Sequence, residues 1–339
     1  MEKSFDQKLR NILADPTCND FILADAKDGD MGFGICAPGR NHAATQPTAE
    51  QGYDFRSLTE YRQFMREITQ QGLVDIMLMS VSSSEQLTIN EKLFAASPVT
   101  PAIRANDTTD IWLGESGNYK HQPSLPFRTT TIAHAQAGTL APTSDATRCG
   151  ANLGLYSITF NNDTQLDRAA LEQYRKFRIE AEQKGFRHFL EVFAPNAPVH
   201  PIADVPRFVN DSIVRTLAGV PSSSRPLFLK IPYYGPRPME ALVHYDPTLI
   251  VGILGGSSGT THDAFRMLSE AKKYGARAAL FGRKINNAED QLLFVRMLRA
   301  VADGQLESEE AVKLYHAELA KLNKSPHRDL KDDLLLTQV

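Results

Sequence analysis

A lysine stands in the middle of an apolar run, PLFLKIPYY (226–234). Leu229 and Ile231 flank Lys230, and strand alternation places the lysine on the face opposite those two. If the aliphatic pair meets surrounding helices, Lys230 points into the interior of the sheet. Desolvation there disfavours the ammonium, lowers its pKa and leaves an amine able to attack a carbonyl and form a Schiff base. A buried lysine that only balances a carboxylate is the alternative, since buried lysines are rare and are either paired or functional. Glu191 holds the matching place in HFLEVF (188–193), one apolar run earlier, so the two side chains are expected next to each other. A carboxylate in a semi-apolar site can carry the hydroxyl proton that moves when a carbon–carbon bond breaks. As a plain counter-ion it would do no chemistry.

Asp25 ends a first run, FILAD (21–25), and Lys27 follows two residues later. We expect Asp25 as a secondary acid/base or hydroxyl-binding group and Lys27 as a substrate-binding charge; a turn cap and a solvated loop charge are the alternatives. Two glycine-rich turns, GGSSGT (255–260) and GRK (282–284), come after later apolar runs and lead into helices. Small residues let backbone N–H groups approach an anion at a helix N-terminus, and an arginine adds a bidentate contact. Gly255, Gly256, Ser257, Gly282 and Arg283 are therefore the expected phosphate cradle. Arg104, near the end of TPAIRAND (100–107), is expected either to hold a second anionic group or to form an internal ion pair. Cys18, Cys36 and Cys149 have neither disulfide-framework nor zinc-ligand spacing, and His134 has no evident partner ligand, so no metal is expected.

These residues need a scaffold, and the chain supplies a rhythm for one. Apolar β-rich runs recur at 21–25, 74–80, 100–107, 152–161, 188–193, 226–234, 249–256 and 276–282, most of them followed by a segment with helical periodicity. Ser57 and Glu60 form an S-x-x-E capping box at the start of a helix with Leu58, Tyr61, Met65 and Ile68 on one stripe. A later stripe carries Leu166, Ala170, Tyr174, Phe177 and Ala181, and two more carry Phe265, Leu268 and Ala271, then Leu292, Val295, Leu298 and Ala302. Continuous apolar runs fit strands buried on both faces, which predicts an α/β fold of the (β/α)8 TIM-barrel type. A doubly wound open sheet competes, but GDMGFG (29–34) lacks dinucleotide-turn spacing and an immediate helix. We expect one domain over 1–339, with long insertions at about 30–56 and 108–150 in the first and third βα loops and a helical tail over about 305–339. No clear amphipathic helix shows in the second insertion.

Lys plus Arg total 37 against 40 for Asp plus Glu, without long charge runs, so neither a nucleic-acid surface nor a polybasic membrane patch is indicated. No stretch approaches the roughly 18 to 20 apolar residues needed to cross a bilayer. The expected setting is cytoplasmic, the partner a small molecule, and the assembly a homo-oligomer.

Taken together, the chain resembles the class I, Schiff-base aldolases of the tagatose-bisphosphate and archaeal-type fructose-bisphosphate groups over about residues 20 to 300. The likeness is strongest in HFLEVF, FLKIPYYG, ILGGSSG and the GRK turn, with ADAKDGD similar to the family's first-strand Asp motif. It implies Lys230 as the Schiff-base lysine, Glu191 as the acid/base of the tagatose-type branch, Asp25 as the first-strand acid, and phosphate on Gly255, Gly256, Ser257 and Arg283. The implied activity is lysis of a phosphorylated ketose or related keto compound, with no cofactor. Departures exist: Ala194 stands where the archaeal branch has a tyrosine, and LGLYSITF lacks the fourth-strand lysine of the tagatose branch. Schiff-base-dependent acyl transfer to a thiol acceptor and a non-catalytic phosphosugar-binding or regulatory barrel are the alternative functions.

Overall fold

In a computed structural model, which describes residues 2–15, 17–41, 54–113, 116–141, 149–256 and 259–337, the eight apolar runs form eight parallel strands. They are β1 (Ile22–Lys27), β2 (Ile76–Met79), β3 (Thr100–Arg104), β4 (Leu153–Ile158), β5 (Arg187–Val192), β6 (Leu229–Ile231), β7 (Val251–Leu254) and β8 (Ala278–Phe281). Each pairs with its sequence neighbours, and β8 pairs with β1, so the sheet closes into the (β/α)8 barrel. The open-sheet alternative is excluded.

Strand parity divides the apolar residues into two cores. Ile22, Ala24, Ile76, Leu78, Ala102, Leu155, Phe189, Phe228 and Leu280 fill the barrel interior. Leu23, Met77, Ile103, Leu190, Leu229, Ile231, Ile253 and Phe281 face outward, against the helices. This double burial is why the strands read as unbroken apolar runs. Among the helices, α1 is Ser4–Ala14, α2 Leu58–Gln71, α3 Thr164–Gln183, α4 Val205–Ala218, α5 Pro236–Tyr245, α6 Thr261–Lys273, α7 Gln291–Ala302 and α8 Ser308–Lys321. The capping box opens α2, with the Ser57 N–H donating to Glu60 at 2.7 Å, and Gly72 ends it at φ +70° in the left-handed region. Leu58, expected on the buried stripe, is 44% exposed in the first turn, and Tyr61, Met65 and Ile68 carry the packing.

Helix α1 has no counterpart in the sequence reading. Its charges mask a buried face of Phe5, Leu9 and Ile12, which joins the inner core and closes the N-terminal end of the barrel. Phe5 meets Phe228 edge-on at 5.9 Å, and Phe228 stacks on Phe189 at 4.4 Å.

The loops at the opposite end shape the site. Within the second insertion, Asp107–Thr108 pairs antiparallel with Pro126–Phe127, and Trp112 packs on Tyr119 and Phe127 at 5.0 and 5.4 Å. A helix over Ile132–Ala137 is also present there, contrary to expectation; six residues are too few to display a stripe. Residues 42–53, 114–115 and 142–148 of the two insertions lie outside the described residues. The C-terminal tail returns to the start of α6, where Asp333 accepts the Thr261 N–H at 2.7 Å and Thr337 donates to Asp263 at 2.6 Å. Among the described residues, no helix is long and apolar enough to cross a membrane.

Candidate active site

Strand β6 carries Lys230 inward because its neighbours Leu229 and Ile231 belong to the outer core. Glu191 is its register partner on β5, and Ser157 on β4 is in register with Glu191. Lys230 is 7% exposed and its ammonium lies 2.6 Å from the Glu191 carboxylate. The second oxygen of Glu191 accepts from the Ser157 hydroxyl at 2.7 Å and from Arg104 at 3.3 Å. Arg104 is itself held by Asp28, with Nε donating at 2.6 Å, and by Ser157 at 3.0 Å. Burial works against the arginine's charge, but Asp28 and Glu191 outweigh it and push its pKa above the ordinary value. Asn106 locks the strand beneath, exchanging hydrogen bonds with the Ser157 N–H and carbonyl at 2.6 and 2.8 Å.

A cavity of about 100 Å³ opens on this row at the C-terminal ends of the strands, lined by Lys230, Glu191, Arg104, Asp28, Gly255, Gly256, Gly282 and Arg283, with Phe33 and Ile111 from the two insertions. Of the residues named from sequence, Lys230, Glu191, Arg104, Gly255, Gly256, Gly282 and Arg283 therefore come together here, and Ser257 lies outside the described residues. The three glycines have separate physical reasons. A Cβ at Gly255 would collide with the Phe281 ring, and one at Gly282 would stand 2.6 Å from the Ala26 carbonyl oxygen. Gly256 has open space around it but a φ of +61°, which disfavours other residues. For Arg104, the ion-pair alternative is present in the geometry, with Nε, Nη1 and Nη2 donating to Asp28, Ser157 and Glu191, while the side chain also lines the cavity.

Asp25 and Lys27 are corrections. Strand β1 runs two residues beyond FILAD, and its parity puts Ala24 and Ala26 inside and Leu23, Asp25 and Lys27 outside; Asp25 pairs in register with outward Met77 and Phe281. Neither side chain reaches the cavity. Both are fully buried between the barrel and its helices, 3.1 Å apart, with the Lys27 ammonium donating to Asn286 at 2.6 Å and Gln291 at 2.8 Å. Lys27 is neither a solvated charge nor a ligand for phosphate. The inward acid of this motif is Asp28, which extending the Ala24–Ala26 alternation by one step would have identified.

A closed parallel barrel with a lysine–glutamate pair at its C-terminal mouth defines the class of scaffold. No protein family model matches the chain, and no curated protein matches it. Among solved structures it is similar to an archaeal fructose 1,6-bisphosphate aldolase, with TM-score 0.60 and 15% identity over 88% of this chain and 99% of that one. A second archaeal fructose-1,6-bisphosphate aldolase, with its catalytic lysine covalently bound to the carbinolamine intermediate, gives 0.59 and 15% over 88% and 100%. A fructose-bisphosphate aldolase from Slackia heliotrinireducens gives 0.63 and 12% over 92% and 91%. At these identities the likeness establishes the barrel fold.

Proposed function

We propose that this protein is a Schiff-base-forming carbon–carbon lyase of the class I aldolase type, acting on a phosphorylated ketose or related keto compound. The observation that carries the reading is the buried Lys230–Glu191 contact of 2.6 Å, open to a cavity at the C-terminal end of the barrel. Active sites of such barrels lie at that end. The similar structures of Schiff-base aldolases lend support.

Lys230 passes a proton to Glu191, and the free amine adds to the substrate carbonyl to give a carbinolamine. Glu191 returns the proton to the departing hydroxyl, water leaves, and a protonated imine remains. The same carboxylate then removes the proton of the substrate hydroxyl on the far carbon of the bond to be broken, the carbon that leaves with the aldehyde. That oxygen becomes the carbonyl of the aldehyde product, and the bonding electrons move into the iminium to give an enamine. Protonation and hydrolysis of the enamine release the second product and restore Lys230. Ser157 and Arg104 position Glu191 throughout, and Asp28 positions Arg104. The substrate phosphate would rest on the backbone at Gly255 and Gly256 with Arg283 beside it.

Turnover of a panel of ketose phosphates, with identification of the products, tests this reading. Aldehyde and ketone fragments appearing with the wild type and disappearing in Lys230→Met are expected. Acyl transfer to a thiol instead of cleavage would reassign the reaction, and ligand binding without turnover in both proteins would make the barrel a binding module.

A further inference from the structure

The space beside Lys230 is the smaller of two. A chamber of about 660 Å³ lies next to it, between the β8 loop, the first insertion and the C-terminal tail, against about 100 Å³ for the inner cavity. Sites for drug-sized ligands span roughly 300–1,000 Å³. The inner cavity thus suits only the reacting end of a substrate, and the chamber has room for the remainder. Phe33, Ala37 and Arg283 line both spaces, which makes Arg283 a boundary residue.

Among the charged residues that line the chamber, cations outnumber acids, and Arg40 is one of them. Lys120, Arg283, Lys284 and Arg328 face it together with Glu289 and Asp333. Both acids are engaged elsewhere: Glu289 accepts from the Tyr315 hydroxyl at 2.8 Å and the His327 N–H at 2.6 Å, and Asp333 from the Thr261 N–H at 2.7 Å and His316 at 2.9 Å. Lys284 is anchored by the Gly259 carbonyl at 2.8 Å. Burial lowers its pKa, and Arg328 lowers it further, partly opposed by Asp333, Asp263 and Glu289, so Lys284 and Arg328 sit close enough for one anion to meet both. Arg328 makes no ion pair among the described residues. A single phosphate on Arg283 would bring no ligand charge to Lys284 and Arg328, whereas a linked second phosphate could.

Resting on the Schiff-base reading of Lys230, we propose that the chamber binds the distal, diphosphate-sized anionic end of the substrate, with Lys284 and the tail residue Arg328 gripping it beyond Arg283. The tail is then a wall of the substrate site.

The test is calorimetric titration of the full chain with inorganic pyrophosphate and with orthophosphate at one ionic strength. Pyrophosphate is expected to bind at least tenfold more tightly. Arg328→Gln, at an exposed position where the fold is preserved, is expected to weaken pyrophosphate at least fivefold and orthophosphate less than twofold; Lys284→Met is expected to do the same. Equal affinities for the two anions, or an unchanged pyrophosphate affinity in Arg328→Gln, would overturn the proposal. The same titration on Lys230→Met separates the two readings. Retained pyrophosphate preference with no Schiff base in the wild type would remove the lyase and keep the anion site, and the reverse pattern would remove only the anion site.

Discussion

Two buried lysine–carboxylate pairs occupy this barrel, on opposite sides of the sheet. Lys230 and Glu191 point inward, 2.6 Å apart; Lys27 and Asp25 point outward, 3.1 Å apart. The outward lysine donates to Asn286 and Gln291 and makes an ion pair with Asp25, away from the cavity at Lys230. Asn286 in turn donates to the Ala37 carbonyl at 3.0 Å and the Tyr61 hydroxyl at 3.3 Å, so the pair ties β1 to the β8 loop, the first insertion and α2. The inward lysine faces one carboxylate and a cavity. Burial and pairing therefore do not distinguish a reactive lysine from a structural one. The side of the strand does separate them, since only the inward side opens on the cavity.

The contrast can be broken from either side. Lys230→Met is expected to cut turnover by at least about 10³-fold, because no other nucleophile replaces it. The protein should stay folded, since Glu191 keeps Arg104 and Ser157; steady-state kinetics and thermal melting check both halves. Glu191→Gln is expected to lower kcat by about 10²–10⁴-fold through loss of the proton carrier, with a flattened pH–rate profile as the distinguishing readout. Lys27→Met should act on the other quantity. Removing one partner of a buried pair costs about 3–5 kcal/mol, read by denaturant unfolding, and replacing Asp25 with an apolar residue as well should restore much of the loss.

Asp25 also gives a pH signature. Burial pushes its pKa up to about 6, with Lys27 partly opposing. A raised folded pKa makes the native state hold the proton more tightly, so this contribution is full below about 4 and is lost as pH rises through about 6. Asp25→Asn, which mimics the protonated acid, is expected to gain stability relative to the wild type across that window; a constant difference from pH 4 to 7 would contradict the assignment. The smallest effect is expected from Ser157→Ala, which removes one hydrogen bond to Glu191 and should cost about 1–3 kcal/mol with a reduced kcat and little change in KM.

Much of this contrast was legible in the sequence, unevenly. Barrel strands buried on both faces leave unbroken apolar runs, and Leu229 and Ile231 fixed the parity of Lys230. The same double burial hides the parity of β1: Leu23 and Ala24 are both apolar, and FILAD ends on a polar residue although the strand runs on to Lys27, where the Asp28–Gly29 turn signal begins, so Asp25 reads as a strand-end acid while Asp28 is the inward one. Helix α1 is hard to read from sequence because charge dominates it, although Phe5, Leu9 and Ile12 keep helical spacing. The chamber walled by the tail was beyond reach, since Thr261 and Asp333 meet only through the folded chain.

Borohydride reduction of the wild type with ketose phosphates and dihydroxyacetone phosphate, followed by peptide mass spectrometry, tests the inward pair most directly. A reduced adduct on Lys230, absent from Lys27 and lost in Lys230→Met, is the expected result. An adduct on another lysine, or none with any compound in the panel, would contradict Lys230 as the Schiff-base nucleophile for these substrates.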